Sequence, residues 1–284
     1  MDDPAPTQVP PRIHVTGRST VVRDQGGFRT RFDFPGRAVP GHEDHGYGPL
    51  ATVVESFLDP GTHIPMHAHR DEEIVSWVPD GVMRHDDRQG NDLVTDSEHL
   101  LVMNAGRGFW HAESTRADDP PLRMLQIFVR PHAIGLDPGI QHEPIPEPVP
   151  NEWRHLFGPV DGDAPLSVRN AVDCRDCRLA AGSAVALPSR RDPDRDTYLY
   201  VFDGAVTVSA DATPADAPSA DTPSADTPPA DTPHDDDPTA LERGESALVV
   251  GTDGFTVTAD ADATLVAFSI DPDAPITRQG TIGR

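Results

Sequence analysis

The sequence predicts an all-β protein, two antiparallel β-barrels in tandem, on three observations. Apolar residues are rarely spaced for a helix; they fall into short runs bounded by Gly, Pro and Asp, the pattern of sandwiches and barrels. A proline-laden stretch, "EPIPEPVPNEW" from Glu143 to Trp153, interrupts the chain near its middle. The two parts on either side of it echo each other. A chain of 284 residues has room for two domains of ordinary size, expected at 1–150 and 151–284.

The expected strands of the first part are "IHV", "ATVVESFL", "EIVSWV", "LLVM" and "RMLQIFVR". Those of the second are "AVAL", "TYLYVF", "AVTVSA", "SALVVG", "FTVTA" and "TLVAFSI". Both sets are rich in the β-branched and aromatic residues that suit a pleated surface. The echo is clearest where "GTHIPMHAHRDEEIVSWVPDG" (Gly61 to Gly81) is laid over "GSAVALPSRRDPDRDTYLYVFDG" (Gly182 to Gly204). Each has a glycine, an extended run, a charged turn, an aromatic-containing strand and a closing Asp-Gly. Pro188 and Arg190 stand where the first copy has His67 and His69, so the second domain is expected to lack metal ligands. Between "AVTVSA" and "SALVVG", at about 210–238, runs a five-residue repeat with no aliphatic residue larger than alanine. It cannot bury enough surface to offset its ordering entropy, so a disordered insertion is expected there, with no ligand role for His234.

Acidic residues number 47 against 23 basic ones, a net charge of −24, and every basic residue is arginine. Such a balance repels nucleic acid and anionic membrane, and neither is an expected partner. The acids are scattered between apolar runs rather than gathered in a tail. Acidic, lysine-free surfaces resemble those of extreme halophiles, and molar salt, with a Debye length of about 3 Å, screens the self-repulsion. The acidic, proline-rich start is unlike a signal peptide, and no run approaches the roughly 20 apolar residues of a spanning helix. A cytoplasmic location is expected.

The chemistry concentrates in two short stretches. In a strand, residues two apart share a face, so "HAH" aims His67 and His69 to one side. "GRGFWHAES" repeats that spacing with His111 and Glu113. If the two strands are neighbours, three imidazoles and a carboxylate converge, a set suited to a divalent transition metal.

These stretches resemble the cupin motif: Gly61, His67, His69, Glu73 and, one residue late, Gly81. The closer resemblance is to the pirin family of two-cupin (bicupin) proteins. Its pattern, much like "HPHRGFE", "EGEIEHRDS.G" and "M.AGRGI.HSE", is similar to "HAHRDEE", "DGVMRHDDRQG" and "MNAGRGFWHAE" here. The resemblance implies one divalent metal, Fe(II) foremost, held by His67, His69, His111 and Glu113. The general cupin pattern instead makes Glu73 the carboxylate ligand; otherwise Glu73 stands in the pocket as a proton acceptor. His85 and Gln126 match family positions that line the pocket, and Phe109 and Trp110 replace smaller aliphatics and are expected to reshape or cover it. Asp71 and Glu72 replace a Gly-Phe pair, which implies a more acidic mouth, with Glu72 turned to solvent by alternation.

The implied activity is that of a mononuclear non-haem Fe(II) oxygenase similar to quercetin 2,3-dioxygenase. Its substrate would be a phenolic or enol-type small molecule, with Glu73 or Glu113 accepting the hydroxyl proton. The alternative is a non-enzymatic, iron- and redox-dependent regulator that acts through a partner protein. "CRDC", Cys174 to Cys177, lacks further zinc ligands and reads as structural. His63, His99, His132, His142 and His155 have no partner at meaningful spacing.

Overall fold

The computed structural model describes residues 12–188, 195–210, 238–251 and 254–282. Arg190, His234 and the body of the five-residue repeat lie outside the described residues. Apart from one short 3-10 turn at Pro35–Ala38, the regular structure described is all strand. None of the described helices is long and apolar enough to cross a membrane.

The strands form four sheets. The first half has a seven-stranded sheet ordered Gly139–Pro144, His99–Asn104, Glu73–Asp80, Leu122–Val129, Leu50–Leu58, Phe28–Asp33 and Val22–Asp24. Facing it is a four-stranded sheet of His63–His69, Phe109–Ser114, Met83–Asp87 and Asp92–Thr95. The second half repeats the plan, with Asp196–Asp203 and Ala263–Ile270 central in its larger sheet and Ala184–Ala186 at one edge of its smaller one. The sheets are open layers rather than the closed barrels expected, and one pair, Arg154–Pro159 with Leu166–Val168, is parallel.

Each half fills the space between its two sheets, and a third core lies where the large sheets meet back to back. Strand alternation assigns the side chains. Val75, Trp77, Leu125 and Ile127 enter the shared core with Phe157, Tyr198 and Phe202 of the second half. Ile74, Val78, Met124 and Phe128 point the other way, into the first half's own core with Met83 and Phe109. Buried on both faces, "LRMLQIFV" is buried at every position. Trp77 meets Phe202 edge to face at 5.0 Å. The closing glycines of the echo, Gly81 (φ 99°) and Gly204 (φ 85°), take left-handed turns. A Cβ there would lie 2.7 Å from Leu122 Cα and 2.3 Å from the Asp262 carbonyl oxygen, respectively.

Both ends of the described chain cross the expected boundary at residue 150. Arg12–Thr16 pairs with Ser246–Val250 in the second half's sheet. Beyond the last strand, the Ile282 amide bonds Glu72 in the first half. Cys174 lies in the shared core and Cys177 in the second half's core, on opposite faces of one strand. Burial raises both thiols above their ordinary range, Cys177 to about 11, so neither is a ready thiolate.

Candidate metal centre

His63–His69 and Phe109–Ser114 are neighbours, with His111 opposite His67 and Phe109 opposite His69. The shared-face rule then puts His67, His69 and His111 together. One ring nitrogen from each lies within 4.8 Å of the others. The strands slip register between His111 and Glu113, which turns Glu113 opposite Ile64.

Hydrogen bonds set the tautomer of each ring. His67 Nδ1 lies 2.9 Å from the Pro65 carbonyl, which can only accept, so Nδ1 carries the proton. His69 Nδ1 lies 2.6 Å from Glu72 Oε1 and donates to it in the same way. His85 Nε2 donates to Asp87 Oδ2 at 3.1 Å, which leaves His85 Nδ1 as the acceptor for His111 Nδ1–H at 3.4 Å. In the neutral form each of the three imidazoles therefore keeps Nε2 as a lone pair. Among the described residues His111 Nε2 is buried with no hydrogen-bond partner, the condition a metal ion relieves. Burial lowers the pKa of His67, His85 and His111, the last to about 2 with help from the adjacent imidazoles, which favours the neutral form of these three rings. The donor set fits a divalent transition metal.

Glu113 stands beside this group rather than within it. Its Oε1 is 3.8 Å from His111 Nδ1, and Gln126 Nε2 donates to both carboxylate oxygens at 2.8 and 2.9 Å. Burial raises its pKa to about 7, against the pull of His69 and Gln126. The three histidines, Glu113 and Gln126 line a cavity of about 110 Å³ walled by Phe28, Phe32, Val54, Ile64 and Phe128, with Arg23 and Gln25 at its exposed side.

Several expected roles fall elsewhere. Glu73 does not face the cavity: it is fully buried toward the second half, accepting from Asn104 Nδ2 at 3.1 Å and from Arg169 N and Nε, both at 2.5 Å. Glu72 is not solvated but 1% exposed, because it sits in the turn before the strand, where alternation does not apply. Asp71, at the position where the family pattern has glycine, takes a left-handed turn (φ 50°), a conformation Asp tolerates, and its carboxylate accepts from the Gly135 amide at 2.6 Å. Both acids are buried, so the mouth is not made more acidic by them. Trp110 points away from the cavity, 42% exposed under the Arg88 guanidinium, and Phe109 packs in the core near His85. His85 backs His111 without lining the cavity. Away from the site, His99 stacks on His142 at 5.1 Å and His155 bonds Asp173, partners that strand pairing supplies across sequence distance.

Comparison with known proteins agrees with this geometry. The Pirin family profile matches residues 37–129. A pirin-like protein of Caulobacter vibrioides is 30% identical over 188 residues, 66% of this chain and 80% of that protein. The chain belongs to the pirin family. A putative quercetin 2,3-dioxygenase of Mycobacterium tuberculosis is 30% identical over 163 residues, 56% of this pirin and 66% of that protein, just under two thirds of its length. The pirin fold is also that of YhhW from Escherichia coli, at a TM-score of 0.68 and 18% identity over 91% of this chain and 97% of the other. YhhW has also been solved in complex with nickel(II), and that structure matches at a TM-score of 0.67 and 18% identity over 91% and 98% of the two chains. The all-β cupin class expected from the sequence is thus the one observed.

Proposed function

We propose that this pirin is a metal-dependent oxygenase of the quercetin 2,3-dioxygenase type, with a single non-haem Fe(II), acting on a planar phenolic or enol-type small molecule. The observation that carries the reading is the convergence of three imidazoles on one side of an aromatic-walled cavity, beside a buried carboxylate held by Gln126. Relatives named quercetin 2,3-dioxygenase support it.

When bound, Fe(II) supplies the one-electron chemistry that lets dioxygen react with a closed-shell substrate. The remaining work belongs to the chain. Phe28, Phe32 and Phe128 offer flat apolar contact to a ring. Arg23, its guanidinium 4.8 Å from the Phe32 ring centre, presents positive charge to an anionic oxygen at the exposed side. Glu113, with a pKa near 7, takes the substrate's hydroxyl proton, and Gln126 holds its carboxylate in place.

The test is iron analysis after anaerobic Fe(II) loading in concentrated potassium chloride, followed by oxygen uptake with quercetin and simpler enols. Near one equivalent of iron in the wild type, lost in His67→Ala/His111→Ala, with metal-dependent uptake, is the expected result. Iron bound without uptake would turn the reading to a metal-dependent regulator that works through a protein partner. No iron bound would sink both.

A further inference from the structure

We infer that Glu72 is a positioning residue that fastens His69 to the strap Asp271–Ile282, so that a segment from the second half completes the metal pocket of the first. The inference rests on the metal reading above. The strap leaves the last strand and passes from the second half to the first on a series of anchors. Asn170 Nδ2 donates to the Pro275 carbonyl at 2.9 Å, and the Thr277 amide to the Pro131 carbonyl at 3.1 Å. Arg278 Nε pairs with Asp44 Oδ2 at 2.9 Å, and the Arg70 amide donates to Thr281 Oγ1 at 3.1 Å.

The strap ends on the metal centre. The Ile282 amide donates to Glu72 Oε2 at 2.8 Å while His69 Nδ1 donates to Glu72 Oε1 at 2.6 Å, so one buried carboxylate holds a ligand histidine and the strap, one oxygen each. The Ile282 side chain forms part of the cavity wall. The fit is close: a Cβ on Gly280 would meet Glu72 Oε2 at 2.9 Å. This carboxylate stands where the family pattern "HPHRGFE" has phenylalanine, which could bond neither partner. A carboxylate behind a ligand histidine fixes its ring and raises its basicity. Because the same carboxylate holds the strap, metal binding and strap docking are linked, and the linkage is reciprocal.

The test uses the full chain and Ni(II) as probe, with affinity read by calorimetry and strap docking by hydrogen exchange at the Ile282 amide. Glu72→Gln keeps the shape but has one acceptor oxygen for two donors, and weakens Ni(II) binding by about tenfold or more. Ile282→Pro removes the strap's N–H together with the Ile282 wall contact, leaves His67, His69, His111 and Glu72 unchanged, and weakens Ni(II) binding by a smaller factor. Ni(II) slows exchange of the Ile282 amide in the wild type and does not in Glu72→Gln. Unchanged Ni(II) affinity in either variant, or Ile282 exchange indifferent to Ni(II), overturns the inference while leaving the metal site standing. A wild type that does not bind Ni(II) overturns both.

Discussion

At the residue scale, Glu113 is the group whose environment most changes its chemistry. Its folded pKa of about 7 lies above the ordinary 4.5, burial being the main cause. The sign follows: stabilisation from the neutral acid is complete below pH 4.5 and is lost as pH rises through about 7. The size is about 3 kcal/mol, at 1.36 kcal/mol per pH unit. In metal-free protein, wild type should therefore lose that much stability relative to Glu113→Gln over this interval, measured by urea titration. Asp33, also raised to about 7 by burial and by Glu55, contributes equally to both proteins and cancels in the difference. Parallel curves would remove Glu113 as the titrating group. The same variant separates base from ligand: iron retained with turnover down on the order of 100-fold marks a base, whereas iron lost marks a fourth ligand.

At the element scale, the strand Glu73–Asp80 serves two sites at once, because its two faces enter two cores. Ile74 lines the metal cavity, while Glu73 is clamped by Arg169 across the contact between the halves. Removing one partner of a buried ion pair strands the other; Arg169 is 19% exposed, so the cost is discounted to about 2 kcal/mol. Glu73→Gln is accordingly expected to lower the unfolding midpoint and leave Ni(II) affinity unchanged. A tenfold loss of affinity without a stability change would return Glu73 to the metal site.

At the scale of the whole molecule, the charge of −24 opposes compaction in dilute buffer. Buried pairs such as Arg123 with Glu55 and Arg154 with Asp176 are shielded from salt, whereas the surplus acids are not. Thermal unfolding should therefore shift upward from low salt to molar potassium chloride, followed by circular dichroism. A midpoint indifferent to salt would contradict the halophilic reading of the composition.

The sequence alone determined the all-β class, the Asp-Gly turns that close each echo at Gly81 and Gly204, and the common facing of His67 and His69. Each rests on local rules, the two-residue period of a strand and the steric freedom of glycine. Tertiary structure decided which face each strand turns to which core. Where a sheet is buried on both sides, as around Glu73, hydrophobic alternation disappears and the facing cannot be read. It also decided Glu72, Trp110 and the strap. Glu72 lies in a turn beyond the reach of strand periodicity, Trp110 follows the outward phase set by His111, and Ile282 reaches the cavity from 210 residues beyond Glu72. Contacts made at that separation leave no periodic trace in the chain, because they depend on how the layers stack rather than on neighbouring residues.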